Sequence, residues 1–327
     1  MSPKKLIALA IAVVALLAPV FAAAQVVHGE IRDGRLEVRR FWRDFDGHRH
    51  FIALSIPVDD YARLVSAYGE DRAQTIACIR ARILGQRIAF EGGILEINQV
   101  DDNGTISHWF QGETYPREQI RRYIRDLRQR EVAACIRGHF VRYARQGDGV
   151  VRGVDFRNLV RAHGPYLRPV LDALRDLAHG DVRLLAAHIA SFAQGIGYTV
   201  VPERRERRET FGLSTPVGVV YGDEEKDCDS GSLIAVTLAC EAGIPAGLVR
   251  VPGHMAFAVA VPARRGDYTV SAVDGTGATV EYVVAEGAGC SDCSDQPTFG
   301  LRAYEDLTAR PLDSGAGSFI PICFSGN

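Results

Sequence analysis

The chain has 327 residues, with 38 Lys and Arg against 40 Asp and Glu and a net charge of −2. That balance argues against nucleic acid or an anionic membrane as a partner attracted by charge. The length and a hydrophobic content of 47% suffice for one large or two modest domains with their own cores.

Residues 1–24 read as a cleavable signal peptide: Lys4 and Lys5, the apolar "LIALAIAVVALLAPVF", then small residues with a cleavage point between Ala24 and Gln25. A retained membrane anchor over Leu6–Ala24 is the alternative. Residues 28–57 predict short strands, with a hairpin turn at Asp33-Gly34. Helices are expected in "VDDYARLVSAYG" and "EDRAQTIACIRARILG", and a second hairpin turning at Asn103-Gly104. Residues 115–144 predict one long Arg-rich amphipathic helix with a solvated charged face. Gly147–Gly153 is the expected domain boundary. Helices at about 155–163, 165–179 and 181–197 follow, with a break at Gly164-Pro165, and "ERRERRET" reads as a salt-bridged surface turn. Residues 228–243 are apolar almost all round, which predicts a buried helix ending at Gly243 and Pro245. The strands "AGLVRV", "HMAFAVAV" and "YTVSAVD" come next.

The seven cysteines are residues 78, 135, 228, 240, 290, 293 and 323. In an oxidising compartment an odd count leaves at least one thiol unpaired within the chain. "CSDC" at 290–293 reads as part of a structural disulfide, with a redox or zinc motif as the alternative.

Cys228 opens the buried helix between two aspartates. Backbone N–H groups and the helix dipole favour a thiolate there by up to about 2 kcal/mol. A solvated aspartate opposes it by roughly 1 kcal/mol. A nucleophile at this position therefore needs an imidazolium beside it. His254 heads a strand in which His254, Ala256, Ala258 and Ala260 share a face, small enough for that strand to lie close against the helix. Asp274 ends the next strand, expected to pair with the first, and is the candidate to orient the imidazole. Cys228, His254 and Asp274 follow the logic of a thiol hydrolase triad.

The stretch "DCDSGSLIAVTLACEAGIPAGLVRVPGHMAFAVAV…VDGTG" resembles the core of the transglutaminase-like superfamily, in the bacterial exported form that includes cysteine proteinases. "SFAQGIGYTVVP" at 191–202 and "FWRDFDGHRHFIALSIPVDDY" at 41–61 are similar to segments of some relatives. The resemblance implies an α+β fold with a papain-like core, in which a nucleophile helix packs on an antiparallel sheet. It implies Cys228 as nucleophile, His254 as base and Asp274 as orienter. The expected organisation is 1–24 signal peptide, 25–150 a smaller N-terminal β/α module, 151–286 the catalytic core and 287–327 a Cys-containing tail.

The expected function is peptide or amide hydrolysis through a thioester, on a protein or peptide substrate in the cell envelope, with a periplasmic or secreted location. The alternatives are a catalytically silent binding protein and a cross-linking transglutaminase. No cofactor is required. Gln194 is a candidate oxyanion donor by analogy with thiol proteases, beside the backbone N–H of Cys228. Asp223, Glu224, Glu225, Asp227 and Asp229 form either a calcium site, with Asp223, Asp227 and Asp229 as ligands, or a solvated acidic turn. Two departures stand out: "EEKD" separates Gly222-Asp223 from the cysteine, and no tryptophan follows His254.

Overall fold

The computed structural model describes residues 28–288 and 318–324, apart from positions 67, 91, 136–139, 147–148, 200, 202–203, 206–207, 210 and 275. The signal-peptide segment and "CSDC" lie outside the described residues. The chain is an α+β protein of helices and antiparallel sheets. It opens with a three-stranded meander, β1 (His28–Arg32), β2 (Arg35–Arg43) and β3 (Arg49–Pro57), followed by α1 (Val58–Ser66). The expected turn is there, with Asp33 and Gly34 both at positive φ. The short β4 (Glu70–Asp71) leads to α2 (Arg72–Ile83), β5 (Arg87–Phe90), β6 (Gly93–Val100), β7 (Ile106–Gly112) and α3 (Arg117–Cys135).

The helix expected over 115–144 stops at Cys135. Val141–Gln146 is strand β8, which pairs with β9 (Gly149–Val154). The expected boundary at 147–153 therefore falls inside a hairpin. The core locates the real division. Inward residues of the first sheet (Val38, Trp42, Leu54, Ile56) share one large core with the helices after Val154 and one face of the sheet that follows them, whereas α2, β5–β7 and α3 bury their own cluster. A disulfide, Cys78–Cys135, ties α2 to α3 within that smaller cluster. The expected 25–150 module is thus two pieces, only the second of which has a core of its own.

Helix α4 (Phe156–Ala178) runs through Gly164-Pro165 and Pro169 without the expected break. Its apolar stripe (Leu159, Leu167, Val170, Leu171, Leu174) stays in phase across the prolines and is fully buried. A Cβ on Gly164 would lie 2.6 Å from Glu241 Oε2, so the glycine also permits close packing on a neighbouring helix. After α5 (Val182–Gly195), two-residue strands β10 (Arg204–Arg205) and β11 (Arg208–Glu209) pair together and with β4, where a plain turn was expected.

Helix α6 (Pro216–Tyr221) precedes the central helix α7 (Cys228–Glu241). Leu233, Ile234, Ala235, Val236 and Leu238 of α7 are completely buried, each larger one contributing about 1.5–3 kcal/mol. α7 packs on an antiparallel sheet of β12 (Ala246–Val251), β13 (His254–Val259), β14 (Thr269–Val273), β15 (Thr279–Ala285) and β16 (Ser318–Cys323). The strand order is β14-β15-β13-β12-β16. Met255, Phe257 and Val259 join the core with α7, while Ala256 and Ala258 fall in a separate cluster with Tyr282 and Val284. The alanine face is therefore not the one that meets the helix: the larger residues fill that interface. The disulfide Cys240–Cys323 joins the last turn of α7 to β16. Among the described residues no helix is long and apolar enough to cross a membrane, and the two disulfides fit an extracytoplasmic setting.

Candidate active site

Asp227 is the N-cap of α7. Its Oδ1 accepts from the Ser230 backbone N–H at 3.1 Å and the Ser230 hydroxyl at 3.0 Å. Cys228 is thereby fixed in the first turn, where backbone N–H groups have no acceptor within the helix. Cys228 is the free cysteine among the described residues and is partly exposed. Its thiol donates to Asp229 Oδ1 at 3.3 Å. Burial pushes the Asp229 carboxyl up, against the lowering effect of that bond.

His254 heads β13 and hydrogen-bonds both Cys228 and Glu286. Its Nε2 lies 2.8 Å from Glu286 Oε2. Burial alone would lower the imidazole pKa. The bonds to Cys228 and Glu286 and the charges behind them win, and raise it to about 10. The ring is held as an imidazolium between a carboxylate and a thiol. Sulfur, imidazole and carboxylate form one chain of contacts, the order a thiol nucleophile requires.

The carboxylate is Glu286 and not Asp274, because of strand order. Sequence adjacency suggested that β14 would flank β13, but β15 lies between them. Asp274 is left at the far edge, where its Oδ1 accepts from Thr276 N (2.8 Å), Thr276 Oγ1 (2.6 Å) and Ala278 N (3.0 Å) and closes its own turn. Glu286 follows β15, whose Ala285 pairs with Phe257 of β13. Two glycines bring it to the helix. A Cβ on Gly231 would sit 2.2 Å from Gly287 O, and one on Gly287 2.6 Å from Ser232 N. Only bare backbone allows that approach.

Gln194, the candidate oxyanion donor, lies on the other side of Glu286. Its Nε2 donates to the Glu286 backbone carbonyl at 2.7 Å, so it braces the segment carrying the carboxylate. The three acids expected to hold calcium are also committed elsewhere. Asp227 caps the helix, Asp229 faces the sulfur, and Asp223 lies in the field of Arg40. Arg40 is buried, with its guanidinium on the carbonyls of Val219, Val220 (2.8 Å) and Gly222 (2.8 Å). Glu224 Oε2 accepts from Thr215 N, the N-cap residue of α6, at 3.2 Å. Among the described residues, the cluster with metal-ligand spacing is instead Asp44, Asp46 and His48. Asp44 there already accepts from His48 N and bonds His50 Nε2, both at 2.8 Å.

Three residues at the site were not anticipated: Glu286, the buried Lys226 and Tyr198. Tyr198 is 37% exposed, and its phenol is pushed up by burial and by Cys228, Asp227 and Glu286 nearby. An acid closing the continuous apolar run "YVVA" was the available signal for Glu286. Comparison with known proteins finds no matching family model, no matching curated protein and no matching solved structure.

Proposed function

We propose that this protein is a cysteine-dependent acyl-transfer enzyme, a peptide or amide hydrolase with Cys228 as nucleophile, His254 as acid and base, and Glu286 as orienter of the imidazole. The observation that carries the reading is the contact chain Cys228–His254–Glu286 at the start of a buried helix. The thiolate attacks the amide carbonyl carbon, forming a C–S bond. The backbone N–H of Cys228 is positioned in the first helical turn to bind the resulting oxyanion. His254 then donates its proton to the departing amine as the C–N bond breaks. Water attacks the thioester, gives a proton back to His254, and the acid leaves as the C–S bond breaks.

The transglutaminase-like, papain-like assignment belongs to this proposal. It is supported by the resemblance around Cys228 and by an α+β core whose central helix packs on an antiparallel sheet. Under it the substrate is a protein or peptide of the cell envelope and the enzyme works outside the cytoplasm.

The test is iodoacetamide labelling at pH 6, where an ordinary thiol of pKa about 8.5 is almost wholly protonated. The native chain should label at least about ten-fold faster than a free thiol. Cys228→Ala should abolish the fast phase, and His254→Ala should slow it. Labelling no faster than the free thiol, or unchanged in Cys228→Ala, removes the proposal.

A further inference from the structure

Lys226 belongs to the "EEKD" insertion, yet it points inward and is 1% exposed. Arg40 and Lys226 are the buried cations among the described residues. Arg40 closes the end of α6, whereas Lys226 stands beside the proposed active site. An ammonium withdrawn from water is expensive, and an apolar side chain of similar volume commonly fills such a position at less cost. No carboxylate of the described residues lies in ion-pair reach of it. Instead its Nζ donates to two main-chain carbonyls, Ala193 O at 2.9 Å and Ala288 O.

Both carbonyls flank the carboxylate that holds His254. Ala193 is in the last turn of α5, next to Gln194, whose amide carries the Glu286 carbonyl. Ala288 N donates to Glu286 Oε1 at 2.6 Å, turning Oε2 towards His254. Residues 286–288 are thus gripped at one end by Gln194, at the other by Lys226, and rest in the middle on Gly231. We propose that Lys226 is a positioning residue that clamps the Glu286–Ala288 turn against α5, so that Glu286 meets His254 and His254 meets Cys228. This rests on the reading of Cys228, His254 and Glu286 as a catalytic unit.

Burial lowers the Lys226 ammonium to about 7, against the opposing pull of Glu286, Asp227 and Cys228. A neutral amine keeps two N–H groups for its two carbonyls. Losing the proton therefore removes a positive charge beside the site and leaves the clamp in place. The surrounding charges are Glu286 after β15, Asp227, Cys228 and Asp229 at the start of α7, and His254 on β13, with Tyr198 after α5.

The test is the titration of His254, read by NMR on the full-length chain with isotope-labelled histidine. In the native protein the imidazolium should persist to about pH 10. Lys226→Met, which keeps the length and removes the donors, should lower that midpoint by at least about one pH unit and slow iodoacetamide labelling at pH 6 about ten-fold. Gln194→Ala, at a partly exposed residue that braces the same turn, should act in the same direction and less. A purely structural lysine would lower the melting temperature and leave the His254 midpoint where it is, and that result overturns the proposal. If Lys226→Met does not fold, an unmoved midpoint in Gln194→Ala overturns it instead. The His254 midpoint can be read whether or not Cys228 labels fast, so the clamp and the catalytic reading fail separately.

Discussion

Two strand ends in the same sheet carry the same signature, an acid followed by glycine, and use it in opposite ways. After β14, Asp274 turns its carboxylate onto its own loop. After β15, Glu286 reaches a histidine 32 positions away in sequence. The difference lies in the strands that deliver them. Val273 on β14 is 62% exposed, while Tyr282, Val283, Val284 and Ala285 of β15 are completely buried. A strand covered on both faces runs through the middle of a sheet, and its end opens onto the site. A strand wet on one side ends at the rim.

Replacing the two acids should separate these roles. Glu286→Gln removes the negative partner of the imidazolium and should reduce turnover on the order of 10⁴-fold, as carboxylate-to-amide changes in triads do. It should also shift the His254 titration downward in NMR. A loss smaller than ten-fold would mean that the ring is oriented by something else.

The pH dependence of stability should divide in the same way. His254 is raised to about 10, so its contribution is whole below the free imidazole value of about 6.5 and is lost as pH rises through about 10. Asp274 is lowered by the hydrogen bonds of its own turn, foremost those from Thr276. Its contribution is present above the ordinary aspartate range and is lost on acidification. Urea midpoints of the native chain and Glu286→Gln should converge towards pH 10. Those of the native chain and Asp274→Ala should converge in acid. The smallest effect should be on catalysis by Asp274→Ala, within about two-fold of the native rate. A large loss there would restore Asp274 to the site and undo the comparison.

Much of the scaffold could be read from the chain. Helix α7 and its Gly243–Pro245 exit follow from local pattern, as do the hairpin turns at Asp33-Gly34 and Asn103-Gly104. The placement of Cys228 at a helix start and of His254 at a strand start was legible because both are local events. Their carboxylate was not, because the insertion of β15 between β13 and β14 is a long-range choice that adjacent sequence does not encode. The proline break expected in α4 failed for a related reason, since tertiary burial of its stripe outweighs the local penalty. Beyond Cys135, the Arg-rich pattern continues past the point where pairing with β9 takes over. Lys226 looked like one more charge in an acidic stretch, and nothing in its neighbours announces that it points inward.

The disulfide between Cys240 and Cys323 adds a constraint in time. The helix that begins with the free thiol is fastened at its other end to a strand 83 residues later. That strand is the edge partner of β12, so Cys240 gains its own partner only when this late segment arrives. Cys228 and Cys240 stand at opposite ends of that helix, about 18 Å apart at 1.5 Å rise per residue, too far for one disulfide. The formed helix therefore keeps the free thiol from capturing Cys240 and reserves Cys240 for the strand that arrives last.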